Sequence, residues 1–171
     1  VLATHRRSMW FDSSRAVPIS QGAAWSTLFI PDGSSGFVSS GTGAFTLRNI
    51  VLPVAEQPHP GRAFEAMAEL VQLTGLSGIT AHVLHVGTAA TLPAIPRDLP
   101  SGLTLEVPLL SEDASPVNPI VKLTLAEQAD LVVMPTAGRD GLMDVLRGST
   151  VEQVLTRIEC PLLAIPVVSG S

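Results

Sequence analysis

The stretch Asp130-Leu-Val-Val-Met134 is a continuous apolar run of strand length, which is typical of a strand buried on both faces of a sheet. A glycine-containing loop, Thr136 to Arg147, follows it and leads through Gly148-Ser149-Thr150 into a helix that reaches Ile158. Cys160-Pro-Leu-Leu-Ala-Ile165 is the next short apolar run. Two buried strands separated by a helix predict a parallel pair joined by a crossover helix.

The same alternation extends upstream to residue 48. Arg48-Asn-Ile-Val-Leu-Pro-Val54 is a β-branched run of strand length, and the apolar residues of Arg62 to Thr74 recur at helical spacing before Gly75. The remaining predicted elements are a strand from Ile79 to Val86, a long loop from Thr88 to Gly102, a strand from Leu103 to Leu109, and a helix from an N-cap at Asn118 to about Ala129. This order predicts an α/β fold in which helices cover both faces of a parallel sheet.

The composition limits the classes of function. Hydrophobic residues make up 46% of the 171 residues and charged residues 15%, so the chain can bury a sizeable core. The net charge of −5, without a basic cluster, argues against a nucleic-acid partner. No apolar run approaches the roughly 18 residues of a membrane span, so we expect no membrane partner. The single cysteine, Cys160, indicates a reducing, cytoplasmic location.

The first 46 residues lack a complete β-α-β unit, but they resemble the end of the domain that follows. Val1-Leu-Ala-Thr4 matches Val133-Met-Pro-Thr136 at an offset of 132, and Trp25–Pro31 matches Cys160–Pro166 at an offset of 135. We interpret residues 1–31 as the last strand-helix-strand of a truncated earlier copy, 32–47 as a linker and 48–168 as a complete domain. An unrelated N-terminal extension is the alternative.

Five segments, taken together and in this order, resemble the universal stress protein family. They are Asn49-Ile-Val-Leu-Pro-Val54, Val83-Leu-His-Val86, Ala129-Asp-Leu-Val-Val-Met134, Gly138 with nine residues before Gly148-Ser149-Thr150, and Cys160-Pro-Leu-Leu-Ala-Ile165. The resemblance implies an adenine nucleotide alpha hydrolase-like fold, a doubly wound parallel sheet of five strands in the order 3-2-1-4-5. It also implies dimerisation, often through the final strand, and in one branch of the family ATP binding at the carboxyl ends of the strands.

The nucleotide site that the resemblance implies would place backbone N–H groups around the phosphates at the start of a helix. Its candidate residues are Gly138, Gly148, Ser149 and Thr150, with backbone contacts from Val54 and Ala81.

Two features of the family's ATP pattern are replaced in this chain. Pro135 stands where the pattern has a glycine, and proline has no N–H to donate. Ala55 stands where the pattern has an acidic residue that recognises adenine. Ser149-Thr-Val-Glu152 also fits a capping box, which would place a carboxylate at the phosphate end. We therefore expect a degenerate site, with no cofactor, although ATP or another adenine nucleotide is the alternative.

The other chemistry-bearing residues predict neither a metal site nor catalytic residues. His82 and His85 lie three residues apart on a predicted strand, so they face opposite sides of the sheet and cannot share a metal ion. Cys160 precedes a proline at the start of a buried strand, where a thiol is inert.

We therefore expect a cytoplasmic, tandem-type universal stress protein with a non-enzymatic stress-response or regulatory role. It would act through oligomerisation, as a homodimer or by intramolecular pairing of repeats, with Ser26 to Ile30 placed against the last strand, Pro161 to Val167. One alternative is an ATP-binding switch or slow ATPase that uses the retained glycine loop. Another is a small-molecule-binding module that uses the crevice at the strand ends.

Overall fold

The described residues fold around one mixed sheet of eight strands. A computed structural model describes residues 2–4, 26–34, 36–106, 108–137 and 149–167, with the backbone alone for residues 2–4. Within these ranges the strands are β1 (Leu2–Thr4), β2 (Thr27–Pro31), β3 (Asn49–Val54), β4 (Ile79–Val86), β5 (Leu103–Leu105), β6 (Leu109–Ser111), β7 (Leu131–Ala137) and β8 (Leu162–Val167). The helices are α1 (Gly61–Thr74), α2 (Val117–Ala126) and α3 (Thr150–Leu155), and Ala89–Thr91 forms a 3₁₀ turn.

The strands after residue 48 have the predicted parallel arrangement. Five of them lie in the order β5-β4-β3-β7-β8, which is the expected order 3-2-1-4-5, and every neighbouring pair is parallel. The sheet differs from the predicted five strands in two details. The expected strand Leu103 to Leu109 is divided into β5 and β6, which both pair with β4, and Pro108 at the break has no N–H for a ladder. Two further strands, β2 and β1, extend the sheet beyond β8.

The added strands come from the N-terminal part of the chain. β2 lies antiparallel to β8, with Leu28 opposite Leu163, and β1 lies parallel to β2. Between β2 and β3 the chain turns back on itself, and Val38 forms an antiparallel bridge with Phe45. The next apolar residue, Leu47, is fully buried. The segment 32–47 is thus folded against the domain over its described residues.

Helices cover both faces of the sheet, as the sequence predicts. The apolar stripe of α1, which includes Phe64, Met67 and Val71, is buried against one face. Residues of α2 and α3 pack against the other face, among them Ile120 and Val154. None of the helices in the described ranges has the length and hydropathy of a membrane span.

The helix ends agree with the sequence in two cases and differ in one. Gly75 ends α1 in the left-handed conformation with φ 63°, and Ser149 caps α3 by accepting a hydrogen bond from the Glu152 N–H at 3.2 Å. The prediction of an N-cap at Asn118 is wrong, because α2 begins at Val117. The Asn118 side chain instead accepts a hydrogen bond from Arg157 Nη1 at 2.9 Å, which joins α2 to the turn that follows α3.

Candidate ligand crevice

The centre of the sheet, where β3 and β7 are neighbours, has the topology of a ligand-binding crevice. The chain leaves β3 for α1 on one face and leaves β7 for α3 on the other face. Open α/β sheets bind ligands outside the carboxyl ends of the strands at such a switch point. β3 and β7 pair at two positions, Ile50 with Leu131 and Val51 with Val132, whereas β3 pairs with β4 at six. The carboxyl halves of β3 and β7 are therefore not joined by this ladder.

Asp130 joins the same two strands at their amino ends. Its Oδ2 accepts hydrogen bonds from the backbone N–H groups of Arg48 at 2.7 Å and Asn49 at 2.9 Å. These are charge-assisted bonds, which are stronger than bonds between neutral groups. The side chain thus fixes the start of β7 against the start of β3, while the opposite ends of the strands flank the crevice.

The residues at the end of β3 include no buried carboxylate. Val54 is 4% exposed, Ala55 is half-buried and Glu56 is exposed. The Val54 carbonyl oxygen accepts a hydrogen bond from His85 Nδ1 at 3.0 Å, so part of its acceptor capacity is already used within the protein. Sequence reasoning missed this bond, although pairing β3 with β4 in parallel would have brought Val54 and His85 side by side.

Ala81 lies away from the end of β3. It is fully buried and pairs with Ile50, whereas Val54 pairs with His85 four positions further along the ladder. At about 3.3 Å per residue, this register separates Ala81 from the carboxyl end by roughly 13 Å. The structure therefore does not bring Ala81 together with Val54.

The β7 side of the crevice is formed by Pro135 and its neighbours. Pro135 is half-buried and pairs with Ile165, and the Thr136 hydroxyl donates to the Ile165 carbonyl oxygen at 3.4 Å. Ser149 and Thr150 are half-buried at the start of α3, whose first turn contains Glu152. The predicted Gly138 and Gly148 lie outside the described residues.

The two strand histidines face opposite sides, as predicted. His82 is 6% exposed, and its Nδ1 lies 3.0 Å from Glu106 Oε2 and 3.7 Å from Glu127 Oε2. His85 is 2% exposed on the α1 side. Across the described residues, no three His, Cys, Asp or Glu side chains are grouped so that they could hold a metal ion. Burial raises the pKa of the Cys160 thiol to about 12, so the thiol is protonated at neutral pH.

A family model supports what the fold and its crevice indicate: residues 104–166 match the universal stress protein family. This match covers less than half of the 171 residues. The chain is 42% identical over 50 residues to a universal stress protein of Methanocaldococcus jannaschii, and the match covers 29% of each chain.

One solved structure of a universal stress protein shares the fold of this chain. That structure, from Archaeoglobus fulgidus DSM 4304, aligns with a TM-score of 0.58 at 17% identity and covers 85% of this chain. A second from Archaeoglobus fulgidus aligns with a TM-score of 0.46 at 17% identity, over 70% of this chain and 95% of that one. The chain spans 51% of the first structure and 29% of the curated relative.

Proposed function

We propose that this chain is part of a tandem-type universal stress protein that acts in stress response or regulation, without enzyme activity. In this proposal it works through the pairing of its units, within the chain or between chains, and its nucleotide site is degenerate. The antiparallel pairing of β2 with β8 is the observation that carries the proposal.

The register of β1 supports the repeat on which the proposal depends. With the sequence offsets of 132 and 135, Leu2 corresponds to Met134 and Phe29 corresponds to Ala164. Leu2 pairs with Phe29 in β1 and β2, and Met134 pairs with Ala164 in β7 and β8. The two strand pairs are parallel and have the same register, which is expected if residues 1–31 repeat the end of the domain.

The register of β2 against β8 supports the pairing of equivalent elements. Leu28 corresponds to Leu163 at the offset of 135, and these two residues lie directly opposite each other. Thr27 and Phe29 flank Leu28, and they pair with the residues that flank Leu163 on the opposite sides. An antiparallel pair centred on equivalent residues has the local two-fold symmetry of a contact between identical surfaces.

The crevice supports the loss of ATP binding. Ala55 offers no carboxylate after β3, Pro135 offers no N–H in β7, and the Val54 carbonyl is engaged by His85. Losing one charged hydrogen-bond partner alone weakens binding by about 1.5–3 kcal/mol, or roughly ten- to a hundredfold. We place the protein in the cytoplasm on the strength of its single cysteine.

A disulfide cross-link tests the pairing. Leu28→Cys and Leu163→Cys, in a Cys160→Ser background, place two thiols directly opposite each other in antiparallel strands, within the roughly 4.4–6.8 Å between Cα atoms that a disulfide requires. We expect oxidation to give a monomer with faster mobility in non-reducing electrophoresis. The control pair Ile30→Cys and Leu163→Cys lies two residues out of register and should not close. Covalent dimers from the first pair would instead assign β2 and β8 to different chains, and absence of any cross-link would refute the pairing.

Calorimetric titration with ATP and Mg²⁺ tests the degenerate site. We expect no binding tighter than about 1 mM, and no gain from Ala55→Asp because Pro135 remains in place. Ala44→Asp adds the same charge at an exposed loop position and serves as the control. Micromolar binding by the unmodified chain would overturn this part of the proposal and favour the ATP-binding switch.

A further inference from the structure

The connection between β4 and β5 crosses the α1 face of the sheet without a helix longer than a 3₁₀ turn. We call residues 88–99 the strap. Leu92, Ile95 and Leu99 of the strap are half-buried and pack against the core on this face. Within the described part of the chain, the strap makes one hydrogen bond to the rest of the protein, between Thr91 and His85. Apolar packing and this single bond hold the strap in place.

His85 links the strap to the crevice because it makes a hydrogen bond with each ring nitrogen. The Val54 carbonyl oxygen can only accept, so the hydrogen lies on His85 Nδ1, 3.0 Å away. In the neutral ring Nε2 is then an acceptor, and the Thr91 hydroxyl lies 2.9 Å from it. One buried side chain thus connects the last residue of β3 to the strap.

The Thr91 hydroxyl has a second hydrogen-bond partner, the Thr88 carbonyl oxygen, at nearly the same distance as His85 Nε2. Its oxygen lies 3.0 Å from the Thr88 carbonyl oxygen, inside the strap, and 2.9 Å from His85 Nε2. A hydroxyl has one proton to donate, so with a neutral ring Thr91 donates to one of these acceptors at a time. The bond that ties the strap to the sheet can therefore be exchanged for a bond within the strap.

Gly87 allows the close approach of these groups. Its φ of +148° is unfavourable for residues with a side chain, and an added Cβ would lie 2.8 Å from His85 Nε2 and 2.9 Å from Thr91 Oγ1. A methyl group at this position would have to displace both atoms that form the bond.

We propose that the hydrogen bond between His85 and Thr91 is a latch, and that its release lifts the strap from the α1 face while the sheet stays folded. Elements held by few contacts open locally with a smaller free energy than the whole domain requires. Because His85 also holds the Val54 carbonyl, the closed strap and the end of β3 depend on the same side chain. The inference goes beyond the proposed function, since it requires neither nucleotide nor a second copy.

Hydrogen exchange and limited trypsin digestion of single variants test the latch. Thr91→Val removes the hydroxyl and keeps the shape, and its matched control, Thr88→Val, changes an exposed threonine whose side chain makes no such bond. We expect Thr91→Val to raise amide exchange in the strap, and cleavage after the exposed Arg97, by roughly three- to tenfold. Thr91→Ser, which restores the hydroxyl, should behave like the unmodified chain.

A second variant disrupts the bond between His85 and Thr91 by steric overlap, without deleting a hydrogen-bonding group. Gly87→Ala should raise strap exchange at least as much as Thr91→Val, whereas Gly41→Ala, which has no atom within 4 Å of its new methyl group, should not. Two results would overturn the inference. One is strap exchange in Thr91→Val equal to that in Thr88→Val. The other is an equal rise in β3 and β4, which would mean that the strap does not open separately from the sheet.

Discussion

Replacing Asp130 with alanine tests how much the junction at the amino ends of β3 and β7 contributes to the stability of the fold. The carboxylate accepts two backbone hydrogen bonds, from Arg48 N at 2.7 Å and Asn49 N at 2.9 Å. A hydrogen bond to a charged group contributes about 1.5–3 kcal/mol. Asp130 is half-exposed, so solvent screening favours the lower end for each bond. We expect Asp130→Ala to lower the free energy of unfolding by about 3 kcal/mol, and Asp130→Asn, which keeps one acceptor oxygen, by about half of that.

Urea unfolding followed by far-UV circular dichroism measures this loss. The slope of the free energy against urea should stay unchanged, because the same surface is exposed on unfolding, while the midpoint falls. Asp32→Ala provides the control, since this exposed turn residue should change stability by no more than about 0.5 kcal/mol. An Asp130→Ala variant as stable as Asp32→Ala would refute the role of the junction. Equal losses in Asp130→Asn and Asp130→Ala would show that the charge, and not the remaining acceptor, carries the effect.

Three further predictions follow from burial, backbone conformation and helix packing. Burial raises the pKa of the Cys160 thiol from 9.0 to about 12, so the thiol loses its proton at a lower pH in the unfolded chain than in the folded one. The free energy of unfolding should therefore fall as the pH rises from about 9 toward 12. Urea unfolding of Cys160→Ser should lack this pH-dependent loss. Gly102→Ala should cost about 2–4 kcal/mol in thermal or urea unfolding, because φ is +96° and a backbone oxygen lies 2.7 Å from the added methyl group, whereas Gly41→Ala should be neutral. Met67→Ala should cost about 2–5 kcal/mol, whereas Leu73→Ala on the same helix, 85% exposed, should change the midpoint little.

Local signals were sufficient for most of the parallel domain. The apolar runs that form β3, β4, β7 and β8 are long enough to indicate buried strands, and the helical spacing before Gly75 locates α1. Pro108 interrupts a run of apolar residues that continues on both sides of it, so the hydrophobic pattern alone predicts one strand where the structure has β5 and β6. At α2 the favourable cap residue Asn118 lies inside the helix, and its side chain bonds to Arg157, 39 residues away in sequence.

The crevice was less predictable because its contacts are long-range. The replacements at Ala55 and Pro135 are visible in the sequence, but the bond between His85 and Val54 requires the register of β3 against β4. The same register places Ala81 away from the strand ends, whereas the family resemblance implied a backbone contact from Ala81 at the site. A hydrophobic pattern specifies which face a residue occupies, but its height along the strand depends on how neighbouring strands are aligned.

The arrangement of edges gives a physical reason to expect pairing within the chain. β8 has six residues and an apolar sequence, so with one side open it would be a template for association with another sheet. β2 covers it at three positions, and the strand at the far side of the described sheet is broken into β5 and β6, each of three residues. Short, interrupted strands are poor templates for association. If β2 and β8 are repeats that cover one another, the long edge is protected without a second molecule. The cross-link between positions 28 and 163 should then form at a rate that does not depend on protein concentration, and a rate that rises with concentration would assign the protection to a partner chain.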